Sequence, residues 1–173
     1  VFVPFLIIEL VVASVDSAQA PAPGAAMPAG AIAHARMRQV LPRGREVELR
    51  SLDEVSFIRS WSPVVSDSAV GYDAQTDSIE HGLSVEAIVT GAGDGSVSIS
   101  LNGAISHATL RQVQVTLTEG TLPYEVPTVR VRSIHAWAGV PLDAARGPTV
   151  VTLLEGFEDG KVLVVAVGAA RAR

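Results

Sequence analysis

The stretch Ser96-Val97-Ser98-Ile99-Ser100-Leu101 decides the fold class of this chain, because every second residue in it is aliphatic. Val113–Leu117 and Val129–Arg132 repeat the alternation further along the chain. A period of two residues is typical of a β-strand with one buried face and one face in solvent. The sequence therefore predicts strands whose aliphatic side chains are buried, with Arg130 and Arg132 in solvent.

Turn residues connect these strand patterns in order. Asp94-Gly95 separates the pattern at Leu83–Thr90 from the one at Ser96–Leu101. A tight hairpin turn needs the positive φ angles that glycine, asparagine and aspartate adopt at low cost. Glu158-Asp159-Gly160 predicts a second such turn. Further strands are predicted over residues 107–118, 128–138, 149–154 and 161–167. The fold class is mainly β, an antiparallel meander of hairpins.

The 173 residues are enough for one folded domain with a core, and we expect that β domain over residues 45–168. Arg45–Arg50 and Glu54–Arg59 read as a hairpin, and the Ser-, Asp- and Gly-rich residues 62–82 read as a long loop. Residues 18–44 are rich in Pro, Ala and Gly and predict a mobile linker. Within it, residues 31–40 allow at most one short helix, ended by Pro42.

The first 17 residues leave two interpretations open. The apolar run Val1–Val15 contains Pro4 and Glu9 and is shorter than the about 20 apolar residues that a membrane-spanning helix needs. A secretory signal peptide would fit the apolar length and the triplet Ala18-Gln19-Ala20, although a basic leader is missing. A buried strand of a domain whose earlier part precedes Val1 would fit equally well.

Composition and charge exclude several classes of function. The net charge of −5 disfavours a nucleic-acid-binding protein, which needs a basic surface to displace counterions from phosphates. Cysteine is absent, so the chain has no disulfide bond, thiolate metal site or thiol nucleophile. Apolar residues make up 48% and charged residues 18% of the chain, which argues against disorder and leaves apolar surface for a partner or a membrane.

The candidate reactive residues do not form a recognisable site. His34, His81, His107 and His135 lack the short spacing that places two imidazoles on one metal. Residues 91–95 form a glycine-rich stretch without the helix that a phosphate-binding loop requires. The serines at 96, 98 and 100 lack a nucleophile elbow. Carboxylates at 155, 158 and 159 could hold a hard cation, but they fit a solvated turn better.

From these observations we predict no catalytic residue, no cofactor and no metal ligand, and hence no enzyme. The weakest hypothesis is an enzyme that uses a groove around Asp159 or His135, because no nucleophile, base and orienting group come together in the sequence. Trp61 and Trp137 are the only tryptophans. In a soluble domain they are expected in a core or at its rim, which is the favoured interpretation, and in a barrel wall they would lie at a membrane interface.

Several short motifs from residue 81 onward occur in an order that resembles the carboxy-terminal domain of bacterial secretins. His81–Val85 resembles the glycine-led strand that opens that domain, and Asp94–Leu101 resembles its aspartate-glycine turn and following strand. Leu122-Pro123 and Pro127–Ser133 are similar to the proline-led segment before the next strand. Val140-Pro141 stands where a further turn is expected. Upstream, Val1–Leu10 is similar to the strand that begins the secretin homology region.

This resemblance implies a structural component of the outer-membrane rings of type II or type III secretion systems or type IV pili. It implies a homo-oligomer formed by strand pairing, with secreted proteins or pilus components as partners. The expected location is the cell envelope, in the periplasm or the outer membrane. The alternative is an extracytoplasmic β-sandwich that acts as a binding or scaffold module without a pore, with the serine and arginine side chains on its polar face.

Overall fold

The structure is a computed structural model that describes residues 5–67, 69–93, 95–117, 120–143, 147–155 and 160–172, with Ala92 and Gly93 described by their backbone alone. Over these ranges the chain is almost entirely extended, in two antiparallel sheets, which confirms the predicted mainly-β fold. A single 3₁₀ turn, Ser17–Gln19, interrupts it. The strands are β1 Phe5–Asp16, β2 Ile32–Pro42, β3 Glu46–Val65, β4 Val70–Gly93, β5 Ser96–Leu117, β6 Gly120–Pro141, β7 Thr149–Glu155 and β8 Lys161–Arg171.

One sheet has the strand order β2-β1-β8-β7 and the other has the order β3-β4-β5-β6. The chain divides into two compact units, and the strands of the second sheet contribute to both. Unit 1 comprises residues 1–51, 82–105 and 131–173, and unit 2 comprises residues 52–81 and 106–130.

Unit 1 is a sandwich whose two sheets share one hydrophobic core. Leu10 of β1 and Val165 of β8 come from the first sheet, and Leu83 of β4, Ile99 of β5 and Ile134 of β6 come from the second. All five are almost fully buried. Because the core residues of β4 and β5 occupy alternate positions, the serines between Val97, Ile99 and Leu101 face away from the core, as the alternation predicts.

β8 is covered on both faces, so its sequence is continuously apolar. Every residue from Val162 to Val167 is buried. The residues on one face of β8 contribute to the main core, whereas Val164 and Ala166 pack with Val150 and Met27 on the opposite face of the sheet. A strand buried on both faces reads as an uninterrupted apolar run.

The segment predicted as a mobile linker helps to cover the second face of β8. Gly24 N donates to Val150 O at 2.7 Å, and Val150 N donates to Ala25 O at 2.8 Å. Met27 N donates to Pro148 O at 3.3 Å. Backbone hydrogen bonds to the β7 side of the sheet thus fix residues 24–27 in place, although their composition is that of a flexible connection.

The short helix predicted near residues 31–40 is wrong, because this segment forms strand β2. It pairs antiparallel with β1, with Leu10 opposite Met37. Arg36 forms an ion pair with Glu9 on the neighbouring strand. The apolar segment β1 needs a partner along its edge, and that pairing outweighs the weak helical preference of a short, proline-ended stretch.

The predicted hairpin over residues 45–59 and the predicted loop over residues 62–82 are also wrong. β3 runs without a break from Glu46 to Val65, and β4 begins at Val70. Serine, aspartate and glycine favour turns in isolation, but they are tolerated in a strand whose backbone is paired and whose side chains face solvent. The turn between these strands lies instead near Ser66, whose backbone N donates to Ala69 O at 2.9 Å.

The prediction that the valines of Val129–Arg132 are buried is wrong, whereas Arg130 is exposed as predicted. Val129 and Val131 are exposed, at 39% and 52%. Ile134 is fully buried, so the even-numbered positions of β6 face the core in unit 1. A strand's pattern specifies two faces, but the covering sheet decides which face is buried.

Unit 2 has little hydrophobic core of its own. Among its described residues only Phe57 is a buried apolar side chain. Two hydrogen bonds link β3 to β6 there. Trp61 Nε1 donates to Pro123 O at 2.7 Å, and Ile58 N donates to Glu125 Oε2 at 3.0 Å.

Leu49→Ala should lower the free energy of unfolding by about 2–5 kcal/mol, because Leu49 is 2% exposed in the sandwich core. Leu52→Ala on the same strand is the matched control. Leu52 is 39% exposed, and its loss should cost about 0.5 kcal/mol or less. Urea unfolding followed by circular dichroism measures both, and equal costs would contradict the assigned core.

Gly103→Ala should destabilise unit 1 by about 1–3 kcal/mol, because a methyl group there would overlap the backbone of the neighbouring strand. A Cβ at Gly103 would lie 2.6 Å from Val85 Cα and would also collide with Ser84 O. Gly139→Ala is the control, since nothing lies within 4 Å of a Cβ at that position. Thermal unfolding of both variants tests this, and equal shifts in Tm would show that β4 and β5 are not packed as described.

Candidate functional site

The solvent face of the second sheet in unit 1 is polar. The serines at 84, 98 and 100 are partly buried, and Ser96 and Asn102 are exposed. Next to Asn102 and Ser100 lie His135 and Trp137 of β6, around a shallow depression. Trp137 is 73% exposed, so the prediction of a core or rim position is wrong for this residue, whereas Trp61 is half-buried.

Three glutamates form an acidic cluster on this face. The pKa of the Glu86 carboxyl group is raised, first by a side-chain hydrogen bond with Glu46 and then by the charge of Glu46. Desolvation and the charge of Glu48 make smaller contributions. Ser84 Oγ donates to Glu48 Oε1 at 3.4 Å, and Arg50 forms an ion pair with the same oxygen. The cluster thus pairs like charges across β3 and β4, which destabilises the sheet when all three are ionised.

The histidines are distributed between the two units. His34 on β2 and His135 on β6 are exposed. His81 on β4 and His107 on β5 lie together in unit 2, with ring centroids 5.8 Å apart and planes at 83°. Sequence spacing alone did not reveal this pair, yet each residue lies 13 positions from Asp94, so the predicted hairpin would have placed them opposite each other.

None of these groups assembles a catalytic arrangement in the part of the chain that the structure describes. No group of three or more His, Cys, Asp or Glu side chains is placed to hold a metal there. His135 makes no hydrogen bond to a carboxylate within the described residues. The turn carboxylates Glu158 and Asp159 and the turn residue Asp94 lie outside the described residues, and Glu155 is exposed at the end of β7.

Unit 2 concentrates amphipathic aromatic side chains. Both tyrosines of the chain, Tyr72 and Tyr124, are half-buried there, as is Trp61. Trp61 and Tyr124 line an open groove with Val115 and Leu117. At the connection between β3 and β4, Val64 and Val65 are exposed. No helix among the described residues has the length and apolar character to cross a membrane.

Comparison with known proteins adds no relative to this description. No protein-family model, curated protein or solved structure matches the chain.

Glu86→Gln should make stability less dependent on pH above the ordinary carboxyl value of 4.5. The raised pKa means that folded Glu86 binds its proton more tightly than the unfolded chain does, so wild-type stability falls as pH rises through that pKa. The variant lacks this loss and should be at least as stable as the wild type at neutral pH. Urea unfolding across the acid-to-neutral range measures it.

Glu54→Gln, which removes the same charge from β3 away from the cluster, serves as the comparison. An equal change in the pH profile for Glu54→Gln would show that net charge, not the Glu46–Glu86 contact, sets the pH dependence.

Proposed function

We propose that this chain is a secretin-like, non-enzymatic structural subunit that assembles into a ring in the cell envelope. The observation that carries the proposal is the sheet β3-β4-β5-β6, whose four strands are 20, 24, 22 and 22 residues long and whose end strands β3 and β6 are not neighbours in the strand order. Unpaired strand edges tend to pair with another chain unless something covers them.

The small number of buried apolar side chains in unit 2 supports assembly. Its described residues bury one apolar side chain, Phe57, whereas Val129 on the end strand β6 is exposed, as is Val131 just beyond the unit boundary. A long end strand with exposed aliphatic residues is a surface that a second strand can cover. In a ring of copies, β6 of one subunit would pair with β3 of the next, and closing the ring would leave no open edge.

The same surfaces support the proposed location in the cell envelope. Exposed valines at the connection between β3 and β4 and half-buried Trp and Tyr side chains in unit 2 are suited to the boundary between lipid and water. The passage inside the ring would admit a secreted protein or pilus component. The serine, asparagine and glutamate side chains of this sheet face would offer such a passenger few apolar contacts apart from the exposed Trp137.

A second candidate function is a β-sandwich that acts as an extracytoplasmic binding or scaffold module without a pore. The shared core of unit 1 favours it, because that sandwich is complete within one chain. The two functions differ in the oligomeric state that they require. A scaffold module works as a monomer, whereas a ring subunit does not.

The ring proposal predicts a concentration-dependent oligomer that persists in mild detergent. Val129→Lys combined with Val131→Lys should weaken association at least about tenfold, because charges on an end strand discourage pairing. Analytical ultracentrifugation in detergent measures it. Thr116→Lys, an exposed position on the interior strand β5, is the matched control and should assemble like the wild type.

A wild-type chain that remains strictly monomeric at high concentration, with and without lipid, would exclude the ring and favour the scaffold module. Equal weakening by Thr116→Lys would show that added charge, not its place on an end strand, controls assembly.

A further inference from the structure

Trp137 leaves its indole ring in solvent on the polar sheet face of unit 1, where it is 73% exposed. Tryptophan is highly buried on average, so an indole in solvent marks a surface that a ligand can cover. The strand that carries it is firmly placed, because Ile134 and Val140 of β6 are fully buried in the sandwich core. The ring is therefore presented by a rigid element.

Three polar side chains surround this indole. Ser100, Asn102 and His135 line the same shallow depression as Trp137. They supply a hydroxyl, an amide and an imidazole, all of which donate and accept hydrogen bonds. Among the described residues, none of these three side chains has a hydrogen-bond or ion-pair partner. The depression thus combines one aromatic ring with donors and acceptors that a ligand can engage.

We propose that this depression binds a pyranose unit of a neutral oligosaccharide chain, with the sugar ring stacked on the indole of Trp137. The C–H bonds on one face of a pyranose carry partial positive charge and pack on the electron-rich face of an aromatic ring. Neighbouring sugar hydroxyls both donate and accept hydrogen bonds, which the amide of Asn102 matches with a carbonyl oxygen and an NH₂ group. The inference goes beyond the proposed function and needs only unit 1.

The shape of the depression favours a chain of sugars over a single small molecule. Small-molecule pockets enclose most of the ligand surface, whereas this depression is open toward solvent. An oligosaccharide can place one unit on the indole and continue across the sheet on either side. Sites built on strands hold their side chains more precisely than sites on loops, which suits a stacked ring.

The charges on this sheet face favour a neutral chain. Glu46, Glu48 and Glu86 lie on β3 and β4, on the other side of β5 from the strand that carries Trp137. Like charges placed opposite each other reduce the affinity of a wrong partner, so these carboxylates disfavour an acidic polysaccharide. The net charge of −5 acts in the same direction.

The polar surroundings also favour a sugar over a second copy of this chain. The centre of a stable protein interface is apolar. Here Leu101 is buried and Ala136 is half-buried, so the indole is the main apolar surface of the depression. One aromatic ring surrounded by hydrogen-bonding groups matches a polyhydroxylated ring better than it matches an aliphatic protein surface.

Isothermal titration calorimetry with cellohexaose and chitohexaose tests the site. The wild type should bind at least one of these neutral chains, and Trp137→Ala should weaken that binding about tenfold or more, because the stacking surface is lost. Asn102→Ala should weaken it about threefold or more through the lost hydrogen bonds. Ser96→Ala is the matched control, an exposed serine of β5 outside the depression, and should bind like the wild type.

Fluorescence reports on the indole directly. Trp61→Phe in unit 2 leaves Trp137 as the only tryptophan, and this variant should keep the wild-type affinity. Its emission should shift to shorter wavelength on titration with the sugar that binds, because stacking removes the indole from water. Circular dichroism verifies that every variant keeps its strands.

Four results would overturn the inference. The wild type could fail to bind either chain at millimolar concentration, or Trp137→Ala could bind as tightly as the wild type. Polygalacturonate, an acidic chain, could bind as tightly as the neutral ones, which would contradict the assigned ligand class. Finally, Trp137→Ala could lower the oligomer fraction in sedimentation velocity without sugar, which would show that a second copy of the chain covers the indole.

Discussion

The burial of β8 on both faces is the constraint on which the rest of the structure depends. Its run Val162–Val167 can be removed from water only if a sheet covers one side and a second layer covers the other. β4 and β5 cover one face of β8, and residues 24–27, which include Met27, cover part of the other face. Burial of this kind contributes about 25 cal/mol per Å² of apolar surface, so the sandwich concentrates the chain's stability in unit 1.

The strands of unit 2 are held together by different interactions from those of unit 1. With Phe57 as its one buried apolar side chain among the described residues, its strands are stabilised mainly by hydrogen bonds and partly buried aromatic contacts. Net contributions of such bonds are about 1 kcal/mol each, which is small compared with a packed core. Regions with few buried contacts are those that open locally or rearrange when a partner binds. The same four long strands therefore contribute to a unit with a large buried core and to a unit with one buried apolar side chain among its described residues.

The described surfaces carry polar groups without a reactive arrangement. A side-chain hydrogen bond with Glu46 and the charge of Glu46 raise the pKa of the Glu86 carboxyl group, and the histidine pair of unit 2 places two imidazoles edge to face. Neither set includes a nucleophile with a base and an orienting group. The proposed structural role rests instead on the end strands of the second sheet and on the exposed valines of β6.

The sequence by itself determined the strand-rich fold, the face alternation at Ser96–Leu101 and the strands β7 and β8, because a period of two and the glycine turns are local properties. Only the tertiary structure decided that residues 32–42 form a strand, that residues 70–82 belong to β4, and that Ile134 rather than Val131 is buried. It also decided that hydrogen bonds from Trp61 to Pro123 and from Ile58 to Glu125 join β3 to β6. Strand formation depends on which distant segment pairs with the backbone, and side-chain burial depends on which layer covers the sheet, so neither can be read from a single stretch of residues.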